Sequence, residues 1–189
     1  MQPSTRNPRK NVNQLSEEKQ FDEVTLHVDR VARVVKGGRR FRFRALVAVG
    51  DKKGKVGIGS AKGADVTLAV TKATDVAKKH LISVNLYNDT IPHDVESKVS
   101  GSHILLIPAR TGTGLIAGGV IRSILELAGV KNILSKSLGS SNKTNTAYAT
   151  IEALNMLVPA SKWPNFKTAT KKTPKTTAAV KEKTTSKKA

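Results

Sequence analysis

Between Arg30 and Arg44 the chain places seven arginines and lysines on either side of a Gly37-Gly38 pair. So many charges in so short a run cannot be folded into a core. The apolar residues among them alternate instead: Phe41, Phe43, Ala45, Val47 and Val49 share one face of an extended strand, and Arg42 and Arg44 point from the other. This pattern predicts a sheet that buries one side and charges the opposite one, with the glycine pair as a bend between strands. Lysine and arginine bind phosphate oxygens by charge-assisted hydrogen bonds, so a polyanion is the expected ligand of the charged side.

The rest of the composition agrees. The 189 residues carry a formal net charge of +19, which repels itself in a compact state and is relieved by a counter-charged partner. Only 4% of residues are aromatic, so cores of Val, Ile, Leu and Ala are expected, divided between two small domains. The absence of cysteine excludes disulfides, thiolate zinc sites and thiol nucleophiles. Apolar runs such as Ala45 to Val49 and Ile104 to Pro108 fall far short of the roughly 20 residues of a membrane helix, and the first residues lack the apolar stretch of a secretory signal. A soluble, cytoplasmic protein with no membrane partner is the expectation.

Periodicity orders the chain. Residues 1–20 are polar and read as an extended arm, and residues 160–189, with nine lysines and one glutamate, read as a disordered basic tail or one draped on RNA. Between them, residues 21–82 give a strand in which Val24, Leu26 and Val28 alternate, then the arginine-bearing strand, the turn Gly50 to Gly54, and a returning strand over Lys55 to Ser60. A helix follows whose stripe is Val66, Ala69, Val70, Ala73, Val76, Ala77 and Leu81. Residues 83–100 are a strand-bearing connection with a turn at Asn88-Asp89. Residues 101–159 give a strand at His103 to Pro108, a helix with stripe Ile116, Val120, Ile121, Ile124, Leu125 and Ala128 stopped by Gly129, a strand over Lys131 to Leu138, and a last helix capped by Ser141 or Asn142. The predicted class is α+β: a three-stranded antiparallel sheet with one helix, then a two-layer α/β unit with two helices.

Candidate sites follow from the cations. Lys36, Gly37, Gly38 and Arg39 either present backbone and charge to RNA or form an ordinary hairpin turn with solvated charges. Arg30, Arg33, Arg40, Arg42 and Arg44, with Lys55, extend the basic set and favour RNA. Ser140, Asn142 and Lys143 open a helix, where free amides either receive a phosphate or are simply capped, and Lys136 and Lys143 add charge there. Gly112-Thr-Gly114 invites comparison with a dinucleotide fingerprint, but the third glycine, Gly118, is one residue late and no ribose-binding acid follows. The histidines at 27, 80, 93 and 103 lack metal spacing, and His27 and His80 read as ordinary boundary residues. No catalytic constellation appears, so no cofactor, no metal and no enzyme are expected.

Several ordered motifs carry a resemblance. Val-Lys-Gly-Gly-Arg at 35–39, Phe-x-Ala-Leu-Val-x-Val-Gly-Asp at 43–51, and Ile107-Pro-Ala-Arg-Thr-Gly-Thr-Gly-Leu-Ile-Ala-Gly-Gly119 with Lys136-Ser-Leu-Gly-Ser-Ser-Asn142-Lys-Thr-Asn145 resemble the family of bacterial small-subunit ribosomal protein five over residues 22–158. That resemblance implies a first domain like the double-stranded-RNA-binding fold without its leading helix, and a second with a left-handed crossover where the general rule predicts a right-handed one. It implies binding to 16S ribosomal RNA through the loop from Arg33 to Arg39 near the spectinomycin site, with Lys62 also matched. It further implies contact with small-subunit proteins four and eight, a place near where messenger RNA enters, and an influence on decoding accuracy. Gly114 and Arg122 match the contact with protein four. Ser60-Ala61-Lys62-Gly63 departs from the family's usual aromatic-Gly-Lys-Ala, and the lysine-rich tail is longer than usual. A free-standing double-stranded-RNA-binding module and a nucleotide-dependent enzyme at Gly112 are the competing expectations.

Overall fold

The computed structural model describes residues 21–159 and 162. The expected arm over 1–20 and the tail over 160–189, Lys162 aside, lie outside the described residues. Strands β1 (Asp22–Val35), β2 (Gly38–Gly50) and β3 (Lys55–Gly63) form an antiparallel meander, helix α1 (Val66–Lys79) follows, and β4 (Leu81–Ser83) pairs with β3. The first sheet is thus four-stranded, in the order β1-β2-β3-β4, where three strands were expected. Leu81 explains the difference. It keeps the helical spacing, yet the helix stops at Lys79 with His80 as its C-cap, and Leu81 turns back to pair with Gly57. Periodicity cannot separate one apolar residue ending a helix from one beginning a strand.

The second half contains β5 (Val95–Val99), β6 (Ser102–Pro108), β7 (Leu115–Ile116), α2 (Gly119–Ala128), β8 (Ile133–Ser137) and α3 (Lys143–Asn155). Its sheet runs β5-β6-β8-β7, and β7–β8 is the parallel pair, joined through α2. Ile116, expected on the helical stripe, lies in β7. Gly129 ends α2 in the left-handed conformation at φ 86°, and Asn142 caps α3 by accepting from the Thr144 amide at 3.1 Å, as the capping residues led one to expect. Among the described residues no helix is long and apolar enough to cross a membrane.

Two cores result. In the smaller, Ala69, Ala73 and Ala77 of α1 sit on Ala45, Val47 and Val49 of β2. The helix lies close because β3 presents glycines to it: a Cβ on Gly59 would run into the Ala73 carbonyl. The larger core covers the opposite face of the same sheet. Leu46, Ala48, Val56 and Ile58 join one cluster with Ile121, Ile124 and Leu125 of α2, Ala147 and Leu154 of α3, and Ile104, Leu106 and Ile133 of the second sheet. That sheet face, expected to be charged, is therefore charged only outward of Arg44 and is buried inward of it. Between Gly50 and Lys55 the turn is tied by Asp51, whose carboxylate accepts from the Lys53 and Lys55 amides at 2.8 Å each. The Lys52 and Gly54 amides donate to the Leu127 and Ala128 carbonyls, capping the end of α2 and joining the two halves.

The first strand also departs from simple alternation. A bulge between Thr25 and His27 shifts its register, so Val24 pairs with Ala48 and Val28 with Ala45, on opposite faces. Leu26, at the bulge, packs against the larger core. After the bulge His27, Asp29, Val31 and Arg33 face the side of the second half.

Candidate nucleic-acid interface

β2 pairs with β3 only from Phe43 inward, whereas it pairs with β1 as far as Gly38. The segments Val31–Val35 and Gly38–Arg42 therefore form a two-stranded ribbon that overhangs the sheet by about 15 Å at 3.4 Å per residue. Residues 30–44 contain no Asp or Glu. At the tip Gly38 has φ 141°, a conformation that side chains rarely adopt, and neither Gly37 nor Gly38 has a neighbour within 4 Å of where a Cβ would sit. Among the described residues, then, nothing packs over the two tip glycines. Its glycines serve the bend itself and leave Lys36 and Arg39 exposed.

Register sorts the cations onto two faces. Arg33 pairs with Arg40 and Val31 with Arg42, so these share the side toward the second half, where Lys62 pairs with Arg44. Arg33, Arg40, Arg42 and Lys62 line a groove of about 420 Å³ with Val31, Ala32 and Val35. Four cations without a carboxylate among them make this a place for phosphate oxygens. On the other side the Arg30 guanidinium lies 3.8 Å from the centroid of the Phe41 ring. Phe41, expected on the buried face, is 48% exposed because α1 ends its cover at Phe43.

Arg44 is committed internally. Its Nε and Nη2 donate to one Asp29 carboxylate oxygen at 3.0 and 2.6 Å. The other Asp29 oxygen accepts from His27 Nε2 at 2.8 Å, and Lys143 Nζ reaches His27 Nδ1 at 3.3 Å. An ammonium can only donate, so Nδ1 accepts and the imidazole carries its hydrogen on Nε2. This chain of four side chains ties the ribbon's base to the start of α3. The Arg44 hydrogen bond, against an opposing effect of burial and with further help from the Arg44 charge and the His27 hydrogen bond, holds the Asp29 carboxyl below its ordinary range. His27 is thus a bridge between the two halves, a role that a lone histidine in a strand pattern does not reveal.

The remaining candidates are scattered. Lys55 begins β3 beside the turn at Gly50, about 40 Å along β2 from the glycine tip, and is not part of the ribbon. Asn142 and Ser140 act on their own backbone, Ser140 Oγ accepting from the Asn142 amide at 3.2 Å. Lys136 is exposed on the outer face of the second sheet, opposite Leu105. Ser60–Gly63 completes β3 and does not open a helix. Gly114, at φ 76°, and the exposed Arg122 lie on either side of the start of α2. The amides of Gly112 and Gly114 both donate to the side-chain oxygen of buried Asn132, at 3.0 and 3.1 Å. Groups that would cradle a phosphate in a dinucleotide site are already satisfied there.

A carboxylate-free cationic ribbon held out from a small α+β body defines a protein of the nucleic-acid-binding, structural class. Two family models match the chain: ribosomal protein S5, N-terminal domain, over residues 21–85, and ribosomal protein S5, C-terminal domain, over residues 97–162. It is 56% identical over 138 residues to the small ribosomal subunit protein uS5 of Campylobacter jejuni strain 81-176, covering 73% of this chain and 94% of that one, and matches the protein of the same name from Campylobacter jejuni strain RM1221 to the same extent. The chain belongs to the uS5 family of small-subunit ribosomal proteins.

Proposed function

We propose that the chain is a structural constituent of the small ribosomal subunit that binds 16S ribosomal RNA in the cytoplasm, acting by charge neutralisation and shape without catalysis. The observation that carries this reading is the overhanging ribbon, with Arg33, Arg40, Arg42 and Lys62 around one groove and Lys36 and Arg39 exposed at the glycine tip. The first unit acts as a double-stranded-RNA-binding-like domain extended by β4, the second carries the left-handed crossover through α2, and the ribbon reaches RNA near the spectinomycin site. Gly114 and Arg122 face protein four of the subunit, and the contact bears on decoding accuracy and on messenger RNA entering the subunit. A protein neighbour, protein eight in this reading, is also favoured by the outer face of the second sheet. There Ile107, Leu134 and Ile116 line up across β6, β8 and β7, each more than a third exposed, an apolar row of no use to a phosphate backbone.

Salt-resistant co-sedimentation with small subunits tests this reading against a free-standing double-stranded-RNA-binding module, which stays in the supernatant. With about six phosphates neutralised, affinity for 16S ribosomal RNA falls roughly 10³-fold between 50 and 200 mM salt. A salt-independent affinity would sink the proposal.

A further inference from the structure

We propose that Phe41, with Arg30 stacked on its ring, is a platform for one unpaired RNA base, on the face of the ribbon opposite the phosphate groove. The inference rests on the RNA-binding reading above and adds to it a second, chemically different contact. On the α1 side of β2, Phe43 and Phe41 are successive positions, yet only Phe43 packs against the α1 core. Phe41 stands one step beyond the helix, 48% exposed, and its partner across the ribbon is the small side chain of Ala32, which leaves the ring open on that side. Leaving half an aromatic ring in water forgoes a favourable burial, so the ring is better explained by something that covers it in use.

The surroundings select the occupant. Arg30 lies over the ring at 3.8 Å and Arg39 is the next residue outward on the same face of β2, while no Asp or Glu occurs anywhere in residues 30–44. An apolar protein partner would have to bring its own acidic groups to this field. A nucleotide brings both parts at once: a π-face for Phe41 and a phosphate for Arg30 and Arg39. The ribbon is two strands wide and a single layer thick, so a single RNA segment passing its tip can place phosphates in the groove of Arg33, Arg40, Arg42 and Lys62 and a base on the opposite face.

The test uses the full chain with Trp163→Phe as parent, binding 16S ribosomal RNA. Phe41→Leu keeps an apolar side chain but has no ring. It is expected to weaken binding about ten-fold with the salt slope unchanged. Arg40→Gln, by contrast, lowers that slope by about one. In Phe41→Trp, affinity is retained and indole emission is quenched by the RNA but not by polyphosphate, which carries the charge without bases. Should Phe41→Leu bind like the parent, or the indole stay bright while RNA binds with normal salt dependence, the platform is refuted and the RNA reading survives. Emission that changes only when other ribosomal proteins are added also refutes it, in favour of a protein neighbour. A parent chain that fails to bind RNA overturns both.

Discussion

The inner and outer halves of the β1–β2 hairpin follow one alternating pattern and meet opposite fates. From Ala45 to Gly50, β2 is buried on both faces, one side under the alanines of α1 and the other in the larger core beneath α2. From Gly38 to Arg42 it is exposed on both. Nothing in the strand geometry changes between them; what changes is the cover, because β3 and the helices end near Phe43. The inner half therefore contributes to folding and the outer half is free to bind, which is why so much charge can be concentrated there without unfolding the body.

Substitutions on either side of that boundary should separate these roles. The largest effect belongs to the inner half: Leu46→Ala, which deletes a side chain only 3% exposed, should cost about 2 to 4 kcal/mol in a urea titration. RNA affinity of the remaining folded protein should hardly change; a large loss would mean that the halves are not independent. Next comes the tip. Lys36→Ala with Arg39→Ala should lower the salt dependence of RNA binding by about two charges and weaken binding about ten-fold or more, with the thermal midpoint nearly unmoved. A fall of many degrees would show the tip serving the fold.

At the boundary itself Asp29→Asn removes the negative charge and one of the two oxygens that accept from Arg44 and His27. The folded carboxyl titrates below its ordinary value of 3.8, so between the folded and unfolded values the unfolded chain binds more protons. The tie's contribution is therefore present above the ordinary carboxylate value and lost as pH falls below it. With both partners part exposed, about 0.2 to 1 kcal/mol is expected near neutral pH, and stability curves of parent and Asp29→Asn should converge in acid. Smallest of all, Val34→Thr at a site 74% exposed should change stability by less than about 0.5 kcal/mol.

Much of this was readable from the residues. The meander, the helix after Lys62-Gly63, the cap at Asn142 and the stop at Gly129 follow from turn chemistry and apolar spacing, which act locally. Where the reading failed, a distant neighbour decided. Phe41 and Phe43 have the same period, but only one meets α1. Leu81 and Ile116 keep helical spacing and lie in strands, because each pairs with a residue far along the chain, Gly57 and Leu134, and no local pattern announces that pairing. Arg44 and Lys143 look like free cations and are held by Asp29 and His27, partners 15 and 116 residues away in sequence.

By itself, then, the sequence determined which side chains share a face, where the chain bends and where its charge accumulates, since these depend on backbone periods and on residue type. The tertiary structure alone decided which faces are covered and which cations remain available to a ligand. Burial of apolar surface has no direction and no memory of sequence distance, so the identity of the covering element, and with it the line between core and binding surface, emerges only when the whole chain is packed.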